Sequence, residues 1–169
     1  MILCAGEALI DMLPRQTREG EDAFAPHAGG AVFNTAIALG RLGAGTGYFG
    51  GLSTDFLGDL LASTLAASNV DTRLCPRSPR ATTLAFVRLV NGQASYAFYD
   101  EGTAGRMLDP AALPALPDTV HALFFGGISL VSEPCATAYE ALMAREAATR
   151  VTMIDPNIRT GFITDEAAY

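Results

Sequence analysis

Apolar residues follow two patterns that alternate along this chain. Short continuous apolar runs are typical of buried strands, and they occur at residues 2–6, 46–49, 122–125 and 151–154. Between these runs the chain predicts helices at 33–42 and 55–67, from apolar residues at helical intervals, and at 134–149, with Pro134 near the first turn. Strands that alternate with helices in this way predict an α/β fold with a mostly parallel sheet.

The middle of the chain breaks this rhythm with two β-rich runs, 82–90 and 94–99, which Asn91-Gly92 predicts to form a hairpin. Both faces of the first run are apolar, with Phe86 on one face and Val87 on the other. A hairpin of this kind needs cover on both faces. The candidate covers are the main domain with its ligand on one side and a partner chain on the other.

Two short segments predict a turn before a strand and the start of a helix. Residues 14–20 are polar and rich in turn formers, and they precede a short strand predicted at 23–27. Ser53 or Thr54 is expected to cap the second helix, because a hydroxyl side chain can accept a hydrogen bond from one of the first free N–H groups.

The composition limits the chemistry available to this chain. Half of its 169 residues are hydrophobic and the formal net charge is −7, which is typical of a globular domain and unfavourable for nucleic-acid binding. All 11 basic side chains are arginine. The absence of lysine excludes a P-loop, which needs its lysine on the phosphates, and it excludes Schiff-base catalysis.

Cysteine usage and the N-terminal sequence bear on location. Cys4, Cys75 and Cys135 form no CxxC or Cys/His pattern, so buried thiols in a reducing compartment are favoured over a metal site. The N-terminal sequence MILCAGEALIDM lacks a basic leader region, and no apolar run approaches the roughly 20 residues of a membrane span. We therefore expect a cytoplasmic protein with no membrane partner.

Residues 45–50 match the GxGxxG fingerprint of dinucleotide-binding proteins. In those proteins the fingerprint follows a strand and opens a helix, so that the helix N-terminus receives the pyrophosphate. Here it follows a predicted helix and overlaps a predicted strand. We interpret these residues as turn glycines. The alternative function, a nucleotide-dependent oxidoreductase, would have this match as its sole support.

The segment AGGAVFNTA, at residues 28–36, carries the strongest local signal of a ligand site. Adjacent glycines let a backbone approach a ligand closely, and the helix that begins after them has free N–H groups. Asn34, in the first turn of that helix, can donate and accept hydrogen bonds. These features suit a polyhydroxylated ligand, but a glycine turn with an asparagine cap explains them equally well on local grounds.

Several segments in a fixed order decide between these interpretations. GGAVFNTAIALGRLG resembles the first signature of the PfkB/ribokinase family of sugar kinases, with its glycine pair, asparagine and Arg-Leu-Gly ending. GEALIDMLP resembles the family's first strand with its sugar-binding aspartate, and GLSTDFLGDLLASTLAASNVDT resembles a later helix. TTLAFVRLVNGQASYAFYDEGTA resembles the lid hairpin of fructokinases, and DPNIR a segment near the nucleotide phosphates. The resemblance covers essentially the whole chain.

The resemblance implies a ribokinase-like α/β fold, in which a mostly parallel sheet is flanked by helices and carries a small β lid. Residues 1–169 would form the N-terminal portion of a single carbohydrate-kinase domain, with lid strands at approximately 11–28 and 82–100. The C-terminal part of the fold would be absent. A homodimer would form through the lid.

The same resemblance implies a site for a small-molecule sugar. The sugar would be bound by residues that the motifs align, namely Asp11, Gly29, Gly30, Asn34, Phe98 and Tyr99. The phosphates of ATP, bound with Mg²⁺, would lie near Asn157 and Arg159, and no residue of the chain is expected to bind a metal. The local alternatives are a surface carboxylate at Asp11, hairpin packing at Phe98 and Tyr99, and a solvated side chain at Arg159.

Two features depart from the family pattern. Val32 stands where the family usually has Gly, Ala or Pro, which should alter only the turn. The larger departure is the absence of the family's Asp-Thr-x-Gly-Ala-Gly-Asp run, which supplies the anion hole and the catalytic base. We therefore expect the base to lie beyond Tyr169, assign no catalytic residue here, and expect the isolated chain to be inactive.

These features together favour ATP-dependent phosphorylation of a sugar hydroxyl, with conversion of D-fructose to fructose 6-phosphate as the first choice. Asp100 stands where related kinases of 2-keto-3-deoxygluconate have an arginine, and its negative charge would repel a carboxylate substrate. Kinases of 2-keto-3-deoxygluconate or ribose are therefore the weaker alternatives. A non-catalytic, truncated module that binds sugar or associates through the lid is the other alternative.

Overall fold

The computed structural model describes residues 1–90, 93–158 and 163. The strands are β1 (Ile2–Gly6), β2 (Leu9–Gln16), β3 (Asp22–Gly29), β4 (Thr46–Phe49), β5 (Leu52–Ser53), β6 (Val70–Asp71), β7 (Arg77–Ser78), β8 (Leu84–Val90), β9 (Gln93–Tyr99), β10 (Ala122–Gly126) and β11 (Val151–Asp155). The α-helices are α1 (Ala31–Arg41), α2 (Phe56–Ala67) and α3 (Cys135–Glu146). Short 3₁₀ helices occur at Pro110–Ala112 and Gly127–Leu130.

The central sheet, within the described part of the chain, consists of parallel strands in the order β11-β10-β1-β4-β6. Successive residues of β1 face opposite sides of this sheet. Cys4 packs with Tyr48 and with the apolar side chains of α1 and α2, whereas Leu3 and Ala5 pack with α3. Helices therefore cover both faces of the sheet, as the alternation of strands and helices predicts.

A second sheet has the strand order β3-β2-β8-β9. Strand β2 runs antiparallel to β3 and parallel to β8, and β8 and β9 pair as an antiparallel hairpin. The Asn91-Gly92 turn predicted for this hairpin lies outside the described residues. Residues 14–20 are not wholly a turn, because β2 continues to Gln16 and pairs with β3 along its length. Asp11 therefore lies within β2.

Strand β11 forms an edge of the central sheet in the part of the chain that the structure describes. Val151 and Met153 on this strand are 69% and 61% exposed, so it presents apolar side chains to its surroundings. In the same described part, no helix combines the length and the apolar character that crossing a bilayer requires.

Asp55 joins helix α2 to the second sheet. Its Oδ1 accepts hydrogen bonds from the Gly58 N–H (2.7 Å) and the Thr82 hydroxyl (2.6 Å), and its Oδ2 accepts one from the Thr82 N–H (2.9 Å). Asp55 is therefore the N-cap of α2, and the prediction of Ser53 or Thr54 is wrong. Burial raises the pKa of Asp55, but the hydrogen bonds from Thr82 and Gly58 outweigh burial and leave the pKa lowered.

Replacing Asp55 with alanine is expected to lower the free energy of unfolding by about 2–3 kcal/mol, because a helix cap and its link to Thr82, just before β8, disappear together. The pKa of Asp55 lies below its ordinary value of 3.8 in the folded state. Its ionised form therefore stabilises the fold above that value, and this contribution is lost as the pH falls through the folded pKa. Thermal unfolding of the parent chain and of Asp55→Ala, at neutral pH and at about pH 3, measures the loss of stability and its dependence on pH.

Asp59→Ala is the matched control for this prediction. Asp59 is an exposed carboxylate in the first turn of the same helix, and its ion pair with Arg77 is solvated. Its removal should change the free energy of unfolding by less than about 0.5 kcal/mol. A loss at Asp55 no larger than the loss at Asp59 would contradict the proposed link between α2 and the second sheet.

Candidate functional site

The carboxyl ends of β1 and β10 lie side by side, since Gly6 and Gly126 are partners in the central sheet. The carbonyl oxygen of Gly6 accepts hydrogen bonds from the buried hydroxyls of Tyr48 (2.6 Å) and Tyr139 (3.0 Å). These tyrosines belong to the cores on opposite faces of the sheet, so the end of β1 is held from both sides. Open α/β sheets bind their ligands at this edge.

Asp11 and Gly29 meet across the second sheet at this edge. Asp11 pairs with His27 in the register of β2 and β3, and Gly29 follows two residues later. A Cβ atom at Gly29 would overlap the Asp11 carboxylate, so the missing side chain leaves the space that the carboxylate occupies. Burial raises the pKa of Asp11, and the charge of His27 partly offsets this rise. A carboxylate in this setting can accept hydrogen bonds from ligand hydroxyls.

Gly30 turns the chain from β3 into helix α1. It is the N-cap of α1 with a φ of +112°, in a region that residues with side chains rarely adopt. A Cβ atom there would also lie 2.7 Å from the carbonyl oxygen of Glu7. Asn34 follows in the first turn of α1, where its side chain is exposed and its N–H donates to the Gly30 carbonyl (2.9 Å). We call Gly29 and Gly30 the glycine turn.

The sequence pattern did not single out Glu7, which contacts the glycine turn directly. Its Oε1 accepts a hydrogen bond from the Ala31 N–H (2.7 Å), and its carbonyl oxygen accepts one from the Phe33 N–H (3.3 Å). Burial raises the pKa of Glu7, and hydrogen bonds from backbone N–H groups, including that of Ala31, partly offset the rise. The available signal was a carboxylate placed directly after a buried strand, in an otherwise apolar stretch.

The two aromatic residues of β9 lie on opposite faces of the second sheet, because side chains alternate along a strand. Phe98 shares a register row with Ala85 and Asp11, so it lies on the Asp11 face. Tyr99, expected beside Phe98 over the ligand, is 61% exposed on the other face and packs edge-to-face against Phe86 at 5.6 Å. The structure therefore groups Phe98 with Asp11 and separates Tyr99 from both.

Asn157 lies past the carboxyl end of β11, two strands away from β1 in the central sheet. It has a φ of +45°, and its N–H donates to Oδ1 of Asp155 (3.0 Å). Arg159 lies outside the described residues. Among the described residues, no group of three or more His, Cys, Asp or Glu side chains is placed to hold a metal ion.

Asp100 forms an ion pair with Arg106, which changes the basis of the substrate prediction. Its Oδ1 lies 3.2 Å from Nη1 of Arg106, and Nε of Arg106 donates to the Glu133 carbonyl (2.8 Å). Both side chains line a small cavity that Glu7 and Ser129 also line. The negative charge expected to repel an acidic substrate is therefore largely balanced by Arg106, whose role depends on the loop after β9 and was not evident from the sequence.

Comparisons with known proteins agree with this arrangement. The family model described as pfkB family carbohydrate kinase matches residues 1–168. A fructokinase of Rhizobium leguminosarum bv. trifolii is 63% identical over 169 residues, which are 100% of this chain and 52% of that protein. Fructokinase-2 of Zea mays is 34% identical over 166 residues, which are 94% of this chain and 50% of that protein.

A solved structure, fructokinase from Xylella fastidiosa with bound ATP, superposes with a TM-score of 0.87 at 31% identity, over 95% of this chain and 53% of that chain. This likeness confirms the predicted ribokinase-like fold, a mostly parallel sheet flanked by helices. The chain spans about half the length of the curated relatives it matches. Since the family model matches residues 1–168, the chain belongs to the pfkB family of carbohydrate kinases.

Proposed function

We propose that this chain carries the sugar-binding half of a fructokinase, an enzyme that phosphorylates D-fructose to fructose 6-phosphate with ATP. The observation that carries the proposal is the Asp11 carboxylate, which occupies the space over Gly29 next to the start of α1. The family match supports a sugar kinase, and relatives named fructokinase, at 63% and 34% identity, support fructose as the substrate.

The residues proposed to bind the sugar differ in their capacity to form hydrogen bonds. Ionised Asp11 accepts hydrogen bonds from two hydroxyls and thereby orients the ring. Asn34 both donates and accepts, and the glycine turn lets the sugar approach the backbone. Phe98, on the Asp11 face of the second sheet, covers the sugar when this sheet closes as a lid and excludes water. Tyr99 lies on the opposite face of this sheet, so we leave it out of the proposed site.

ATP with Mg²⁺ is the proposed phosphoryl donor. The ATP bound to the Xylella fructokinase supports this choice. Arginine and backbone N–H groups can bind phosphate without a lysine, and we propose that Asn157 and Arg159 lie near the phosphates. The described residues do not complete that site, so no step of phosphoryl transfer and no catalytic base is assigned to this chain.

Calorimetric titration of the chain with D-fructose tests the proposed function. We expect saturable binding of D-fructose, with weaker binding of D-ribose and 2-keto-3-deoxygluconate. Tighter binding of the acid sugar would contradict the choice of fructose, and no binding of any of the three would contradict the sugar site. Fructose-dependent release of ADP by the protein as its native source makes it tests the transfer reaction.

A second candidate role is association of two copies through the second sheet. Phe24, Phe86 and Tyr99 stack edge-to-face on the face opposite Asp11, with ring centroids 5.0 and 5.6 Å apart. Phe24 and Tyr99 remain 49% and 61% exposed. Exposed aromatic clusters mark interaction surfaces, and a patch shared by identical chains favours a two-fold homodimer.

The double substitution Phe24→Ser with Tyr99→Ser is expected to abolish this association, because it removes both exposed rings of the cluster. Sedimentation velocity measures the change as a shift from dimer to monomer at equal concentration. Phe56→Ser, which removes an apolar side chain that is 79% exposed on α2, is the matched control and should leave the dimer intact. A monomeric parent chain would refute the dimer, and a dimer that persists in the double variant would refute this aromatic cluster as its interface.

A further inference from the structure

Helix α1 lacks a capping side chain of its own. Its N-cap is Gly30, which has no side chain, and its first turn contains no acidic residue. The first N–H groups of a helix have no partner within the helix, so most helices provide a Ser, Thr, Asp or Asn at this point. The uncapped end of α1 is also the end that carries the proposed sugar ligands.

Glu7 takes the place of the absent cap from a distant part of the chain. Its carboxylate accepts the Ala31 N–H at 2.7 Å, and its carbonyl oxygen accepts the Phe33 N–H at 3.3 Å. A negative charge at a helix N-terminus is also favoured by the helix dipole. The residue before Glu7 is Gly6, which two tyrosine hydroxyls hold in place, so Glu7 projects from a fixed support.

The residues around Glu7 hold its carboxylate in one position, and this arrangement lowers the stability of the folded chain. Gly127 has a φ of +72°, and a Cβ atom there would overlap both carboxylate oxygens. Oε2 is buried and has no hydrogen-bond partner among the described residues. An unpaired buried carboxylate oxygen is unfavourable, and proteins retain such features where function requires them. A serine at position 30 would cap the helix locally but would place a side chain in the glycine turn.

We propose that Glu7 is a positioning residue for the sugar site, which fixes the glycine turn and the first turn of α1 while keeping that turn free of side chains. This inference rests on the proposed function. Capping from a distance leaves the backbone of Gly29 and Gly30 open to a sugar and leaves room for the Asp11 carboxylate. Glu7 itself does not contact the sugar in this arrangement, because its free oxygen is buried.

Other charged or titratable groups near Glu7 do not replace this role. Asp100, Arg106 and Cys135 line the same small cavity, and Arg106 is already paired with Asp100. The phenols of Tyr48 and Tyr139 donate to the Gly6 carbonyl from opposite faces of the central sheet. The Ala31 N–H is therefore the direct reporter of the Glu7 carboxylate.

The test combines the amide signal of Ala31, recorded by NMR without sugar, with calorimetric affinity for D-fructose. Glu7→Gln keeps the shape of the side chain but removes its charge, and Glu7→Asp keeps the charge but shortens the reach. In both variants we expect the downfield shift of the Ala31 amide proton to decrease and the affinity for D-fructose to fall at least about tenfold. Glu146→Gln is the control, since Glu146, the last residue of α3, is a buried carboxylate that pairs with Arg150 and lies far along the chain from α1.

Each possible result of this test either supports or overturns the proposed role of Glu7. An Ala31 signal that stays as in the parent chain overturns the cap, and a changed signal with unchanged affinity overturns the positioning role. An equal loss of affinity in Glu146→Gln also overturns it, because general loss of stability would then explain both results. If the parent chain does not bind D-fructose, the proposed function fails, and the Ala31 signal alone still supports or overturns the cap.

Discussion

Asp11→Asn is expected to weaken binding of D-fructose by about 100-fold, which corresponds to roughly 3 kcal/mol. In the proposed site the ionised carboxylate accepts hydrogen bonds from two sugar hydroxyls, whereas the amide offers one oxygen acceptor and a nitrogen that can only donate. Hydrogen bonds to a charged acceptor contribute about 1.5–3 kcal/mol each, so the loss of one and the weakening of the other produce an effect of this size. Calorimetric titration of both proteins measures it.

The same substitution is expected to leave the fold at least as stable as before. Burial raises the pKa of Asp11 above its ordinary value of 3.8, so the ionised form is less favourable in the folded chain than in the unfolded chain. The resulting penalty is present at neutral pH and disappears below 3.8, where the carboxyl is protonated in both states. Thermal unfolding should therefore show equal or higher stability of Asp11→Asn at neutral pH, with the difference vanishing in acid.

Asp22→Asn provides the matched control for Asp11. Asp22 is an exposed carboxylate at the first position of β3, away from the glycine turn. Its substitution should leave the affinity for D-fructose unchanged. An affinity of Asp11→Asn within about threefold of the parent chain would contradict the assignment of Asp11 to the sugar, since that difference is below 1 kcal/mol.

Gly30→Ala is expected to lower the free energy of unfolding by about 3 kcal/mol. The new side chain would force alanine into a backbone region that is almost reserved for glycine, with φ at +112°. It would also lie 2.7 Å from the carbonyl oxygen of Glu7, which is backbone and cannot rotate away. The start of α1 should shift as a result, and sugar binding should be lost with the stability.

Gly29→Ala separates the two effects. Its new Cβ atom would meet the Asp11 carboxylate, which is a side chain and can rotate, so the free energy of unfolding should fall by only about 1 kcal/mol. Displacing Asp11 should nevertheless remove sugar binding. Chemical denaturation and titration of both variants test this contrast, and equal losses of stability in the two would contradict the account of the glycine turn.

The main elements of the fold could be predicted from short-range patterns. The apolar runs at 2–6, 46–49 and 122–125 became β1, β4 and β10, because strands buried between two helix layers must be apolar on both faces. The run at 151–154 became β11, whose apolar side chains remain exposed at the edge of the described sheet. The hairpin of β8 and β9 followed from its β-rich composition in the same way. These features depend on residues that are close in sequence, so a single sequence contains the information.

Features that depend on distant residues were less accessible. Asp55 was not predicted to cap α2, and the Thr82 groups that complete its contacts lie 27 residues away. Strand β2 continues through Pro14 into a stretch that looks like a turn, because β3 supplies a partner along its length. Propensity describes the isolated segment, and tertiary pairing overrides it here.

The candidate site shows the same division. The glycine turn and Asp11 were each identified from a short motif whose own residues are close together in the sequence. Glu7 was missed because its role depends on Ala31, 24 residues later, and on Gly127 from another strand end. The balance between Asp100 and Arg106 likewise depends on how the loop after β9 folds back. A sequence shows which side chains are charged, but it does not show which residues those side chains contact in the folded chain.

The most direct test of the sugar site is the titration of isotope-labelled chain with D-fructose, followed by NMR of the backbone amides. We expect saturable shifts at Asp11, Gly29, Gly30 and Asn34, all with the same apparent affinity. Asp11→Asn should remove them together. Saturable shifts confined to another part of the chain, with these four amides unmoved, would contradict the proposed sugar site.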